Sequence, residues 1–367
     1  MRRLMRRHGA RWLAGVLLAS ACAASAQTKD SPAPVPSHRD ADGRFYNNYP
    51  HDPWPSFLRW QWERWRDGVP KIPEGGWHFE LLQPDLASLR TNRTGRSVTW
   101  IGHATLLLQT GGLNIVTDPQ FSDRAAPVSF LGPQRVVAPA IMPADLPHID
   151  AVLISHNHYD HLDIPSLRSL NAQAGGPPRF FVPLGLKAWF HNTLGVLDAV
   201  ELDWWQSAQL DTVTGSATLH LVPVQHWSSR TLTDRNLTLW GGWVLEQPDF
   251  RFMFCGDTGY SKDFADIQKR FGRFDLAAIP IGAYEPRWFM KMQHINPAEA
   301  VQIHRDLHAD RSIAIHWGTF VLTDEPLDEP PRALRAALAA AGIPAADFPA
   351  LKHGETLRLD LPAKRRP

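Results

Sequence analysis

His156-Asn157-His158-Tyr159-Asp160-His161 sets four lone-pair donors within six residues, directly after the apolar run Ala151-Val152-Leu153-Ile154-Ser155. That run is short and contains β-branched residues, so it predicts a buried strand, and Leu162-Asp163-Ile164-Pro165 after it predicts the start of a helix. A tight turn at a strand end can aim His156 and His158 at one point and Asp160 and His161 at a neighbouring one, which suits two metal ions better than one. Imidazole and carboxylate donors fit zinc, with manganese or iron as alternatives, and the absence of thiolates argues against a closed structural zinc site. The competing account is a solvated polar turn. So dense a donor set after a buried strand weighs against it.

Outward from this stretch, short apolar runs predict strands at 98–101, 105–108, 113–116, 151–154, 180–182, 219–224, 243–245, 252–254, 276–279 and 313–315. Helices are expected at 163–172, 185–194, 261–271, 297–308 and 331–341, with Ser261 and Pro297 as start signals. Gly111-Gly112 between two strand runs predicts a hairpin. Early strands followed by mixed strand and helix units fit an α/β fold, two packed sheets with helices outside in four layers, αββα. A metal pair needs further ligands. Three candidates stand at the ends of later strand runs: His226, Asp257 and His316, each beside a Trp or Gly that suits a backbone turning at a rim.

The first 26 residues differ from the rest: Arg2, Arg3, Arg6, Arg7 and Arg11 precede the apolar stretch Trp12 to Ala23 and the A-x-A site Ala24-Ser25-Ala26. They read as a bacterial export signal, too short to span a membrane, which places the protein in the periplasm or envelope. Cleavage after Ala26 is preferred to lipid modification at Cys22, whose box lacks its usual leucine. Without those five arginines the remaining Lys and Arg are outnumbered by the 37 acids, so nothing suggests a nucleic-acid partner. Only Cys255 would then remain, a buried strand cysteine by default, and no internal disulfide could form.

Residues 27–52, polar and dotted with proline, read as a linker, and residues 53–96 as a Trp-rich arm carrying Trp54, Trp60, Trp62, Trp65 and Trp77 among arginines. The arm either packs its rings on the main domain, the preferred account, or touches lipid headgroups. The hydrolase domain is placed at 97–360 and a basic tail at 361–367.

The phrases Val98-Thr99-Trp100-Ile101-Gly102-His103-Ala104-Thr105, Ile149 to Asp163, Glu201-Leu202-Asp203-Trp204-Trp205, Gly256-Asp257-Thr258-Gly259-Tyr260, Arg287-Trp288-Phe289-Met290-Lys291 and Ala314-Ile315-His316-Trp317-Gly318 resemble the metallo-β-lactamase superfamily. Within it they are most similar to the N-acylphosphatidylethanolamine-hydrolysing phospholipase D family, over about residues 97–358. The resemblance implies two zinc ions per chain, other divalent metals being admitted. His156, His158 and His226 would hold the first, Asp160, His161 and His316 the second, and Asp257 would bridge them. Asp160, Asp257 and His294 would carry the chemistry, with Tyr159, Gln293 and His294 against the substrate. His103 and Asp118 either orient ligands by hydrogen bonding or are satisfied structural polar groups.

Superfamily members that cleave β-lactams often have cysteine at the bridging position, so Asp257 favours phosphoester or thioester hydrolysis. The implied reaction is cleavage of an N-acylated ethanolamine phospholipid to N-acylethanolamine and phosphatidate through a metal-bridging hydroxide. Peripheral membrane contact goes with such a substrate, and a homodimer is left open. The alternatives are a dizinc hydrolase of another ester, lactone or soluble phosphodiester, or a non-catalytic metal-binding envelope protein. His304 and His308, four apart on one helix, read as a solvated face.

Overall fold

The computed structural model describes residues 38–51, 56–69 and 72–359. The expected leader with Cys22 and Ala26, Trp54 and the tail 361–367 lie outside the described residues. Strands β1 (Ser97–Gly102), β2 (Thr105–Thr110), β3 (Leu113–Thr117), β4 (Ala151–Leu153), β5 (Arg179–Pro183) and β6 (Val200–Leu202) cross one sheet in that order, and Thr356–Arg358 closes it beside β1. Strands β7 (Ser207–Asp211), β8 (Ser216–Val222), β9 (Gly242–Gln247), β10 (Phe250–Phe254), β11 (Phe274–Pro280) and β12 (Ala309–Ile315) cross the other. Each sheet begins with antiparallel hairpins and passes to parallel pairs, β3 to β6 in the first and β10 to β12 in the second. The predicted hairpin joins β2 to β3: Thr110 pairs with Leu113, and Gly111 and Gly112 take positive φ at the two turn positions.

The two-residue period of a strand decides the layering. Leu106, Leu108, Leu153 and Phe181 point inward and meet Leu219, Trp243, Leu245, Phe252 and Phe254 of the second sheet in one buried cluster. Their neighbours Leu107, Val152, Phe180 and Val182 point outward and are covered by Leu167 and Leu170 of α3 (Ile164–Asn171) and Phe190 of α4 (Lys187–Leu194). Each of these side chains contributes about 1.5–3 kcal/mol of burial free energy. With both faces covered, every residue of β1 to β3 is buried. Trp243 Nε1 donates to Ile154 O at 2.8 Å, which ties the end of β4 to the opposite sheet just ahead of the histidine cluster.

Further helices are α2 (Leu86–Thr91), α5 (Asp263–Phe271), the short Arg287–Met290, and two that flank the second sheet, Pro297–Asp306 and Glu329–Ala341. Helix Pro297–Asp306 opens where the sequence predicts. Asn296 accepts from Glu299 N, Glu299 returns a bond to the Asn296 backbone, and Pro297 occupies the first turn. His304 departs from its expected solvated face: it is buried, with Nδ1 2.8 Å from Ser312 Oγ of β12. The helix turns that side inward onto the second sheet, and only His308, beyond the helix end, is exposed, at hydrogen-bonding distance from Gln268. The edge strands β6, β7 and Thr356–Arg358 escape the sequence reading because they are short or polar and are held mainly by their ladder partners.

Two N-terminal segments also differ from expectation. The half of the linker at 38–51 belongs to the fold: Phe45 is buried in the main core, its N–H bonds Asn236 O at 2.8 Å, and the His38 ring stacks on Trp204. The arm contains a helix, α1 (Phe57–Asp67), capped by Ser56 accepting from Arg59 N, and the helix divides its tryptophans between two faces. Trp60 stacks on Phe289 with ring centroids 4.7 Å apart and donates Nε1 to Asp324 Oδ2 at 2.8 Å, while Trp62 and Trp65 are exposed.

Candidate metal centre

The candidate ligands follow the carboxyl ends of β4, β8, β10 and β12, where crevices in open α/β sheets collect functional groups. Three backbone turns at the ends of β1, β3 and β12 are strained. His103, Asp118 and His316 have φ of 53°, 33° and 61°, a left-handed conformation that non-glycine residues adopt at a cost and that clusters at functional sites.

The donors converge in two groups. In one, His158 Nδ1 lies 2.8 Å from His156 Nε2 and 3.3 Å from His226 Nε2. In the other, Asp160 Oδ2 lies 3.4 Å from His161 Nε2 and 3.3 Å from His316 Nε2. Asp257 stands between them. Its Oδ2 is 3.1 Å from His161 Nε2 and its Oδ1 3.2 Å from His316 Nε2, and Oδ2 is also 4.0 and 3.9 Å from His156 and His226 Nε2. Ligands ~2.0–2.1 Å from a tetrahedral ion are spaced at about these separations.

The electrostatics fit cations in both groups. Burial pushes His156 well down, His158 to about 4 and His226 to about 3, so these imidazoles are neutral and turn lone pairs toward one another. Burial also opposes charge on His161 and His316, but Asp257 and Asp160 outweigh it, raising His161 well above its ordinary value and His316 to about 9. The carboxyls of Asp160 and Asp257 are held far below their usual range: burial disfavours their charge, and the neighbouring histidines overcome it. Two buried anions therefore demand positive charge at the point where the donors converge. His161 Nε2 and Asp257 Oδ1 are buried without a hydrogen-bond partner, a cost that coordination relieves. The donor set fits two divalent ions.

A further layer orients the ligands. Asp118 Oδ2 accepts from His161 Nδ1 at 2.7 Å, leaving His161 Nε2 to face the site, and Asp118 Oδ1 accepts from Ser155 N at 2.7 Å. Ser155 Oγ is 2.8 Å from His156 Nδ1. His226 Nδ1 donates to Gln293 O at 2.9 Å, and His103 Nε2 is 3.0 Å from Asp160 Oδ2. Ser155, which sequence reading misses, carries no signal of its own beyond its place before His156.

Above the donors opens a cavity of about 450 Å³. His158, Asp160, Asp257 and His294 lie at its floor, Phe57, Trp60, Phe289, Met290 and Leu322 give it an apolar wall, and Trp227, Arg235, Tyr159 and Gln293 are among its other lining residues. His294 Nδ1, buried and without a hydrogen-bond partner, is 3.9 Å from Asp257 Oδ2, and burial lowers its pKa to about 3. Tyr159 offers the cavity its ring rather than its hydroxyl, which donates to Arg230 O at 2.8 Å beneath the Arg230 guanidinium. The Gln293 carbonyl is taken by His226, and its side chain remains on the cavity wall.

Similarity to known proteins decides the family. Residues 113–317 match the model of the beta-lactamase superfamily domain. The chain belongs to the β-lactamase superfamily. Its two mixed sheets with outer helices are the metallo-β-lactamase fold, and its clustered His and Asp side chains are groups that could hold divalent metal. It is 45% identical over 237 residues to N-acyl-phosphatidylethanolamine-hydrolyzing phospholipase D 1 of Caenorhabditis elegans, a match covering 62% of this chain and 65% of that protein. An uncharacterized protein of Mycobacterium tuberculosis is 45% identical over 261 residues, covering 70% of this chain and 67% of the other. The solved structure of a metallo hydrolase from Ignicoccus hospitalis covers 73% of this chain and all of its own at TM-score 0.53 and 17% identity, a likeness of fold. The C. elegans match thus leaves about a third of that relative's length without a counterpart here.

Proposed function

We propose that this superfamily member is a phospholipase D-type phosphodiesterase that binds two divalent ions, zinc by preference, and cleaves N-acylphosphatidylethanolamine-like lipids to N-acylethanolamine and phosphatidate. The observation that carries the reading is an apolar cavity whose floor is a double donor set joined by one carboxylate, Asp257. Similarity to the C. elegans phospholipase supplies the substrate class.

His156, His158, His226, Asp160, His161, His316 and Asp257 would hold divalent ions, which would supply Lewis-acid activation of water and neutralisation of phosphoryl charge. The chain's own residues do the rest. Asp257 faces both donor groups and couples them. Asp118 and the Gln293 carbonyl hold His161 and His226 in the tautomer that turns Nε2 inward. His294, kept neutral by burial, presents an N–H to a phosphoryl or leaving oxygen placed over Asp257. Phe57, Trp60, Phe289, Met290 and Leu322 take an acyl chain and exclude water, in a volume within the ~300–1,000 Å³ range of small-molecule sites.

Purified protein is expected to hydrolyse N-acylphosphatidylethanolamine in vesicles and to lose that activity with chelator. Turnover of a soluble aryl phosphodiester alone would assign the site to another ester class.

The approach to the cavity supports a bilayer as the source of substrate. Leu58, Trp62 and Trp65, at i, i+4 and i+7, form an exposed stripe on α1, and Phe57 of the same helix lines the cavity. Tryptophan at an interfacial helix face suits lipid headgroups. No helix among the described residues is long and apolar enough to cross a membrane. Replacing Trp62 and Trp65 by serine is expected to lower activity on vesicles about tenfold while hydrolysis of the soluble diester stays unchanged. Equal loss on both substrates would remove α1 from membrane docking. Trp60 is left out of this test because its ring serves the fold and the cavity wall.

A further inference from the structure

His226 is a candidate ligand that lies outside the strand ladders. It lies in the long connection from Val222, the end of β8, to Gly242, the start of β9, and no strand ladder fixes its backbone beyond the single bridge at Gln225. The contact made by its own N–H comes from far away in sequence. His226 N donates to Asn47 Oδ1 at 3.0 Å, and the same oxygen accepts from Trp240 Nε1 at 3.2 Å. Asn47 is buried, so its acceptor is not shared with bulk water.

The segment carrying Asn47 is anchored two residues earlier. Phe45 is sunk in the main core, its N–H bonds Asn236 O at 2.8 Å, and Asn236 Nδ2 bonds Phe45 O at 3.1 Å. Asn236 in turn exchanges bonds with Ser228, its N–H to Ser228 O at 2.8 Å and its Oδ1 from Ser228 N at 3.2 Å. The strap 38–51 thus grips the ligand loop at His226 and again at Asn236, while Gln293 O holds the imidazole itself. This strap precedes residues 113–317, the part that matches the superfamily model.

We infer that Asn47 is a positioning residue of the metal centre, and that the strap 38–51 sets the affinity for the ion held by His156, His158 and His226. The physical reason is that a ligand contributes affinity only if its nitrogen is already in place. A loop free to move must lose that freedom on binding. Asn47 fixes the His226 backbone, Gln293 O fixes the ring, and the Nε2 position follows from the two together. Partners that orient metal ligands typically change affinity by ~10–100-fold when removed.

This inference rests on His226 being a metal ligand, and the experiment separates the two ideas. Zinc affinity of the full chain is measured by competition with a chromophoric chelator for the parent, His226→Ala, Asn47→Ala and Asn47→Asp, with a melting curve for each. His226→Ala is expected to weaken one equivalent of zinc, and Asn47→Ala to weaken that same equivalent about tenfold. Asn47→Asp keeps the acceptor oxygen and stays with the parent. Parental affinity in Asn47→Ala, beside weakened binding in His226→Ala, would overturn the inference. So would an Asn47→Asp chain that loses zinc, which decides the matter if Asn47→Ala does not fold. Parental affinity in His226→Ala would instead overturn the ligand assignment.

Discussion

Asp257→Asn is expected to lower turnover by on the order of 10³-fold or more and to deplete both metal equivalents, whereas His294→Ala should cost about 10²-fold and leave metal content intact. The two side chains are 3.9 Å apart and line the same cavity floor, so proximity to substrate does not separate them. Charge does. The Asp257 carboxyl is the anion that both donor groups face, with oxygens 3.1 and 3.2 Å from His161 and His316 and about 4 Å from His156 and His226. An amide of the same shape leaves four buried imidazoles without that anion and offers a metal a much weaker ligand. His294 supplies one N–H to the reacting group and holds neither cluster together. Turnover and metal content measured on the two variants decide the matter. Full metal content with near-parental turnover in Asp257→Asn would refute its bridging role.

Chelation should reshape the pH dependence of stability as well as abolish activity. In the metal-free chain His158, His226 and His294 have folded-state values lowered by burial to about 4, 3 and 3. Unfolding takes up protons at these sites below the ordinary histidine value of ~6.5, so stability falls as pH drops through that range. His316, raised to about 9, works in the opposite sense. The proton it keeps when folded stabilises the chain fully below ~6.5, and that contribution is lost as pH rises through about 9. His161, also raised, adds in the same direction.

Metal replaces these protons and binds more tightly as they leave. The rise in melting temperature on adding zinc should therefore be larger at pH 9 than at pH 7, and saturation at a thousandfold over Kd is worth about 4 kcal/mol. Thermal melts with and without metal across this range provide the check. Parallel pH curves for the two forms would mean that the ion does not occupy the space between Asp160, Asp257, His161 and His316.

Much of this was legible in the residues themselves, because much of it is local. The turn 156–161 presents its donors by strand-end geometry alone, and β2, β3 and their Gly111-Gly112 turn follow from short-range pattern. The same holds for the helix opened by Asn296, Pro297 and Glu299, whose caps lie within one turn. His226, Asp257 and His316 could be proposed because each ends an apolar run, but only the packing of two sheets brings their side chains to one point. What escaped depends on contacts between distant residues. The polar strap 38–51 has no periodicity to betray it and becomes structured by burying Phe45 and pairing Asn47 with His226. The tryptophans of α1 look alike in sequence, and the Phe289 ring and the Asp324 carboxylate select Trp60 for the interior while Trp62 and Trp65 stay in solvent. His304 was given to solvent because helical spacing shows which residues share a face, and not which face the sheet will cover. Local propensity thus determined the elements and the first four donors. The tertiary structure alone decided which distant side chains complete the centre, because burial and hydrogen bonding across the fold carry no signature in neighbouring residues.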